Sequence, residues 1–313
     1  MPQADLAVLA LALALDAAIG DPVRRWHPVA IFGRCMEALY GRAPDEGPGR
    51  QLRYGAMGAA IGVAGAGVGA ALVLHLVGQS NQFLAVLVGA LLLKASFSYR
   101  QLEESALAVA ARLDAGDLPA ARAALAALVS RDAHELCPDL VASAAVESVA
   151  ENLSDSFVAP ILCFLCFGVP GALAYRAVNT LDAMVGYHGR YEYVGRAAAR
   201  LDDAANLLPA RLTALLLVAT SIFAGGSPAQ AARQALSEHG RTESPNAGWP
   251  MAAMAGALAV RLEKVGHYRL GDGGTQCTAP TIRRAVRLAR WGAVIFVVAA
   301  IGVRASLGVL VGG

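Results

Sequence analysis

Lysine is almost missing from this chain: Lys94 and Lys264 are the only two in 313 residues, so arginine carries nearly all of the positive charge. There is no basic block and the formal net charge is +2, which gives no case for nucleic acid as a partner, since such partners need a concentrated basic footprint. Cysteine is scarce too. Cys35, Cys137, Cys163, Cys166 and Cys277 are odd in number and irregular in spacing, which fits neither a disulfide framework nor a four-ligand zinc site. The Cys163/Cys166 pair lies inside the apolar run ILCFLCF and reads as two small buried hydrophobes. No GxxxxGK[ST] occurs, so the glycines at 271–274 (GDGG) read as a flexible turn rather than a phosphate loop. The opening residues MPQAD lack the basic region and cleavage site of a signal peptide, so residues 4–19 read as a retained helix.

Apolar side chains are abundant instead. With 56% hydrophobic and 16% charged residues and a mean hydropathy of +0.50, the composition is that of a membrane protein. Segments 4–19, 54–77, 83–98, 207–224 and 291–311 approach the length needed to cross a bilayer. The fold expected is all-α: a polytopic integral membrane protein of about four or five transmembrane helices with amphipathic cytoplasmic helices. It reads as one membrane domain over 1–313, carrying a soluble helical insertion at about 100–155. Gly58, Gly62, Gly65 and Gly69 are spaced to let another helix approach closely. Arginines 24, 25, 34, 42, 50 and 53 flank the 54–98 hairpin on one side and none lies at its tip, which places residues 20–53 in the cytoplasm. Segments 157–167 and 172–185 are each too short to cross and are interrupted at Pro170-Gly171, so they form either a re-entrant hairpin or one kinked crossing. The hairpin keeps the polar clusters on one side but puts the basic helix at 283–290 outside, against the charge rule.

Between these segments lie polar side chains that a bilayer makes costly. Read as helix, Glu147, Glu151 and Asp155 are four apart and share one face. Asn179 and Asp182 are three apart on the next helical pattern. Asp202 and Asn206 are four apart on the one after, beside Asp203 and between Arg200 and Arg211. Oxygen ligands gathered from several helices suit Mg²⁺, which takes one or two carboxylates and leaves its other positions to water and substrate phosphates. Asp16, near the end of the first apolar segment, is expected to face protein rather than lipid. The turn GDPVRRWHPVAIFG presents Asp21, Arg24, Arg25 and His27, the last a candidate proton-transfer group. Asn246 sits in a rigid turn between Pro245 and Pro250, with Trp249 beside it.

Five stretches together resemble the CobD/CbiB family of cobalamin biosynthesis, the cobinamide(-phosphate) synthases. They are LDAAIGDPVRRWHPVAIFG, ESVAENLSDSFVAP, YRAVNTLDAMVGY, GRAAARLDDAANLLPARLTA and SPNAGWPMAAMAGALAVRL, in that order over most of the chain. Ser156 stands where a glycine is common, Arg176 where lysine is, Ala183 where serine is, and Met251 where an acidic residue is. The resemblance implies a multi-pass inner-membrane enzyme, an ATP-dependent amide ligase. Such a ligase joins aminopropanol or its O-phosphate to the propionate carboxylate of adenosylcobyric acid, with Mg-ATP as cosubstrate and the corrinoid as substrate. It also implies other late cobalamin-pathway membrane enzymes as neighbours. Carried onto this sequence, Glu147, Glu151, Asp155, Asp202 and Asp203 are the expected metal and phosphate ligands, with Arg200 and Arg211 on phosphate oxygens. Asp21, Asn152, Asn179, Asp182, Asn206 and Asn246 are expected to orient substrate, and His27 belongs to the catalytic set.

Rival classes stay open at this stage. DDAAN beside membrane helices is also similar to the Mg²⁺-diphosphate sites of intramembrane prenyltransferases, though no second DDxxD-like motif is present. A non-catalytic regulatory membrane protein like AmpE would need no ATP turnover. A transporter would show paired broken helices, and only one broken pair is visible.

Overall fold

A computed structural model describes residues 2–21, 27–44, 47–129, 133–186, 191–271 and 274–312. Arg24 and Arg25 of the first loop, and Asp272 and Gly273 of the glycine turn, lie outside the described residues.

Helix dominates, as the composition requires. Among the described residues, five helical runs are long and apolar enough to cross a membrane: Pro48–Ser80, Gln82–Asp114, Pro138–Val185, Arg196–Ala224 and Ala279–Ser306. Their outward faces explain the mean hydropathy. Met57, Ile61, Val68, Leu72 and Leu76 are exposed along one run, and Val294, Val298 and Ile301 along another, a pattern that needs a lipid environment.

The contacts divide the chain into two compact units. The first comprises Met1–Ser98, Ala159–Ala205 and Ala300–Gly313. It contains α1 (Pro2–Ile19), α2 (Pro28–Tyr40), α3 (Pro48–Ser80), α4 (Gln82–Lys94) and the long helix after the midpoint of the chain. α1 packs on α4, and a core of Met36, Tyr40, Ala59, Leu181, Val185, Val194 and Ala198 ties α2 and α3 to that long helix. Of the four glycines singled out for close approach, Gly58 and Gly62 meet Tyr40, Leu39, Met36 and Phe32, whereas Gly65 and Gly69 face open space. A closer approach than at these four is made at Gly55. A Cβ there would run into the Val194 carbonyl, and Tyr40 Oη donates to the Gly55 carbonyl at 3.2 Å.

The second unit comprises Tyr99–Val158 and Asn206–Ala299. It begins with α5 (Tyr99–Asp114), α6 (Leu118–Leu125) and α7 (Pro138–Leu153), each of the last two started by a proline in its first turn, where the missing N–H costs nothing. α7 runs into a single π turn at Ser154–Val158 and from there into α8 (Ala159–Val185), which belongs to the first unit. The interruption expected at Pro170-Gly171 falls instead at Gly168, whose φ of 68° and ψ of −166° are open only to glycine. Pro170 then sits two residues into the renewed helix, where its ring is tolerated. α9 (Arg196–Thr220) contributes its first half to the first unit and its second half to the second.

The rest of the second unit is α10 (Pro228–Glu238), α11 (Gly248–Leu258) and the lower part of α12 (Ala279–Gly312). Between α11 and α12 lies a small antiparallel hairpin, β1 (Leu262–Lys264) paired with β2 (Tyr268–Leu270) in the register Leu262 to Leu270. The purely helical expectation missed it, because three-residue strands leave no alternation to read. All five cysteines are free. Cys166 is exposed and Cys163 half-buried rather than both buried, since this part of α8 also leaves Phe167 exposed.

Candidate functional site

The first unit collects seven of the expected site residues: Asp21, His27, Asn179, Asp182, Arg200, Asp202 and Asp203. His27 precedes Pro28 and is the N-cap of α2, its Nδ1 accepting from the Val29 N–H at 3.2 Å. Nδ1 is thereby fixed as the acceptor and Nε2 is left to carry the proton. Burial is the main force lowering the His27 pKa; Asp21 opposes it, while Arg176 and Lys94 add to it. The ring is therefore held neutral, a donor through Nε2.

Asp21 has both oxygens engaged. Oδ1 accepts from Lys94 and Oδ2 from the Ser98 hydroxyl at 2.7 Å. Burial raises its pKa, but the Lys94 and Ser98 hydrogen bonds and the Lys94 charge outweigh burial and leave it below the ordinary carboxylate value. Lys94 also lies 3.0 Å from Asp16 and donates to the Phe97 carbonyl at 3.3 Å. Asp16 is 4% exposed, so the expectation that it faces protein holds.

α8 and α9 supply the rest. Asn179 accepts from Arg176 Nη1 at 3.2 Å and gives its own amide to Asp202 Oδ1 at 3.4 Å. Asp182, one turn further along α8, lies within electrostatic reach of Asp202 and Asp203. Arg176 and Asn179 fall on one face of α8 because they are three apart, and Asp202 and Asp203 present adjacent carboxylates from α9. Arg200 is exposed on the same helix. The product is an oxygen-rich group with Arg176 as its cation, and His27 within electrostatic reach of that cation.

The second unit holds Glu147, Glu151, Asn152, Asp155, Asn206, Arg211 and Asn246. Glu147 is buried and accepts hydroxyl hydrogens from Ser143 and Tyr268, each at 2.8 Å, while Ser143 Oγ accepts from the Glu263 N–H. That carboxylate joins α7 to the hairpin. Asn152 is committed at both ends, its amide to Ser148 and its oxygen to the Ser156 hydroxyl. Glu151 and Asp155 are half-buried. Asp155 stands in the π turn, which departs from the regular repeat on which the expected acidic stripe rests. Arg211 gives Nη1 to the Leu207 carbonyl at 2.7 Å and to Asn246 Oδ1 at 3.3 Å. Asn206 is buried on the same helix.

Among the described residues, no three His, Cys, Asp or Glu side chains are grouped closely enough to form a metal cage by themselves. Sequence reading gave no functional role to Lys94, Arg176, Tyr268 or Trp249. Only Lys94 carried a usable signal, a lysine at the end of an apolar helix in a chain with one other.

Comparison with known proteins bears on this arrangement. The family model described as CobD/Cbib protein matches residues 9–289. The chain is 44% identical over 299 residues to the cobalamin biosynthesis protein CobD of Dehalococcoides mccartyi, covering 95% of this chain and 97% of that one. It is 39% identical over 302 residues to the probable cobalamin biosynthesis protein CobD of Methanothermobacter thermautotrophicus, covering 96% and 98%. It is 42% identical over 261 residues to the CobD of Rhodobacter capsulatus, covering 82% and 81%. No solved structure matches.

Proposed function

The chain belongs to the CobD/CbiB family of cobalamin biosynthesis proteins, and on that premise we propose that it is the ATP-dependent amide ligase joining aminopropanol, or its O-phosphate, to the propionate carboxylate of adenosylcobyric acid. The observation that carries the reading is the group Arg176, Asn179, Asp182, Asp202 and Asp203, an oxygen-rich set with its own cation on apolar helices. Such polar groups are costly there and mark a functional site.

A carboxylate is a poor acyl donor. In the reaction proposed, a propionate oxygen attacks the γ-phosphorus of ATP and ADP leaves, giving an acyl phosphate. The amine nitrogen then attacks the acyl carbon, phosphate departs, and the nitrogen loses its proton to a neighbouring base. Mg²⁺ would supply neutralisation of the phosphate charge. The residues fit it. A hard cation takes one or two carboxylates and shares the rest with water and phosphate, so Asp202 and Asp203, with Asp182 beside them, suffice without a closed cage. Asn179 holds the Asp202 carboxylate, and Arg176 and Arg200 serve phosphate oxygens. His27, with Nδ1 tied to the helix cap, acts as a neutral hydrogen-bond donor rather than a base, and Asp21 anchors the loop that carries it. In the second unit, Glu151 and Asp155 remain candidate metal ligands, while Glu147 holds the hairpin. Asn206 orients substrate, Asn246 does so through the Arg211 guanidinium that it holds, and Asn152 steadies the face of α7.

The deciding experiment incubates the detergent-solubilised protein with adenosylcobyric acid, Mg-ATP and either amine, and resolves the corrinoids by mass. Product with one amine supports the reading and names the substrate. Wild-type rates from Asp203→Asn would remove the metal role of that residue, and no product from folded protein that binds cobyric acid would overturn the ligase reading in favour of a non-catalytic role.

A further inference from the structure

α9 carries Arg211 into the second unit, and the turn before α11 is built around it. The guanidinium carbon lies 5.0 Å from the centroid of the Trp249 ring, and the His239 ring stacks on Trp249 at 3.9 Å with an interplanar angle of 12°. Gly248 makes this stack attainable: a Cβ there would run into the His239 carbonyl. Ser244 Oγ accepts from the Asn246 N–H at 3.2 Å, which fixes the turn, and Asn246 Oδ1 holds the guanidinium from the side.

Two kinds of donor are left over. Arg211 spends Nη1 on the Leu207 carbonyl and on Asn246, and among the described residues no carboxylate pairs with it, so its Nε and Nη2 edge keeps its hydrogens for a ligand. The Trp249 Nε1–H is buried and also has no hydrogen-bond partner among the described residues. A guanidinium lying over the face of an indole and the N–H of that same indole are not coplanar. A planar carboxylate meets the in-plane edge alone, whereas a tetrahedral phosphoryl group has an oxygen for each.

We propose that Arg211 and Trp249 form a binding site for a phosphoryl oxyanion, a phosphate monoester or nucleotide polyphosphate, with His239 and Asn246 as the positioning residues that hold the two donors. The proposal deepens the ligase reading, in which both ATP and one candidate amine carry such a group, and rests on it only for the natural source of the phosphate.

The test needs no turnover. Trp26→Phe and Trp291→Phe leave Trp249 as the sole tryptophan, and its emission is followed in a phosphate-free detergent during titration with inorganic pyrophosphate, inorganic phosphate and acetate. Both phosphate species are expected to change the emission saturably, with acetate weaker. Arg211→Gln is expected to weaken pyrophosphate binding by on the order of tenfold or more, the loss that follows removal of a charged donor. Trp249→Phe keeps the ring beneath the guanidinium and removes the N–H; it is read by equilibrium dialysis of labelled pyrophosphate and is expected to bind more weakly than wild type. His239→Phe keeps the stack and is expected to bind within about threefold of wild type, while His239→Ala weakens binding, a contrast that loss of folding would not produce. Phosphatidylglycerol micelles separate two sources: displacement of pyrophosphate by the lipid assigns the site to a headgroup, and its absence assigns it to a soluble phosphate. Equal affinity for acetate and phosphate, or wild-type binding by Arg211→Gln, would overturn the proposal. If Arg211→Gln does not fold, Arg211→Lys, which keeps the charge and loses the fork, and Trp249→Phe decide the matter. Binding without ligase activity would refute the proposed reaction and leave this site standing; activity without binding would do the reverse.

Discussion

Replacing Lys94 by Met should be among the most damaging single changes in the first unit. The ammonium sits 3.0 Å from Asp16, and both side chains are 6% exposed, so neither charge can turn to water once its partner is gone. Asp21, at 28% exposure, can re-solvate and adds little to the loss. Met has nearly the volume of the lysine stem, so packing is kept and the cost is mostly that of a buried Asp16 that has lost the Lys94 charge. Breaking a buried pair in this way costs about 3–5 kcal/mol. For a protein of this size that is a fall of roughly 6–20 °C in melting temperature. The assay is unfolding of the detergent-solubilised protein, with the double variant Lys94→Met/Asp16→Leu as the control. Removing both charges together should restore stability to within about 1 kcal/mol of wild type, because an apolar pair of similar volume is close to neutral in place of a buried ion pair. A single Lys94→Met variant within about 1 kcal/mol of wild type would refute the reasoning, and so would a double variant no better than the single one.

Gly55→Ala should destabilise by about 2 kcal/mol or more, since its Cβ meets the Val194 backbone, while Gly65→Ala, facing open space, should be neutral in the same melt. Tyr268→Phe removes one of the two hydroxyls on the buried Glu147 and should cost about 1–3 kcal/mol. Proteolysis at the 262–270 hairpin should rise in parallel; an unchanged melt and cleavage pattern would mean that Glu147 does not hold the hairpin. Cys277 is pushed up to about 12, first by burial and then by the Glu147 and Asp139 charges. The thiol is protonated in both folded and unfolded chains below about pH 8.5, and above that the unfolded chain ionises first, so its contribution to stability is lost as pH rises from there towards 12. Cys277→Ala should flatten that alkaline decline, and at pH 8.5 native protein should alkylate at the exposed Cys35 before Cys277.

Much was legible in the sequence because bilayer physics is written in composition and run length. Apolar stretches longer than a soluble helix needs, the arginine-flanked hairpin, the buried Asp16 and the break between 157 and 185 all follow from residue order. The carboxylates, asparagines and arginines of the site were visible as polar residues in an apolar context. Helical spacing alone groups Asn179 with Asp182, and adjacency pairs Asp202 with Asp203. What residue order could not decide is which polar atom meets which. Glu147 looked like its neighbours Glu151 and Asp155, yet Ser143 and Tyr268, the latter 121 residues away, engage it. Asp21 reads from the sequence as a residue that orients substrate, and nothing in residue order says that Lys94, 73 residues on, engages one of its oxygens. Trp249 became notable only when Arg211 and His239 met its ring. Periodicity reports the face a side chain occupies; its partner is set by how distant segments pack, and only the tertiary structure brings those segments together.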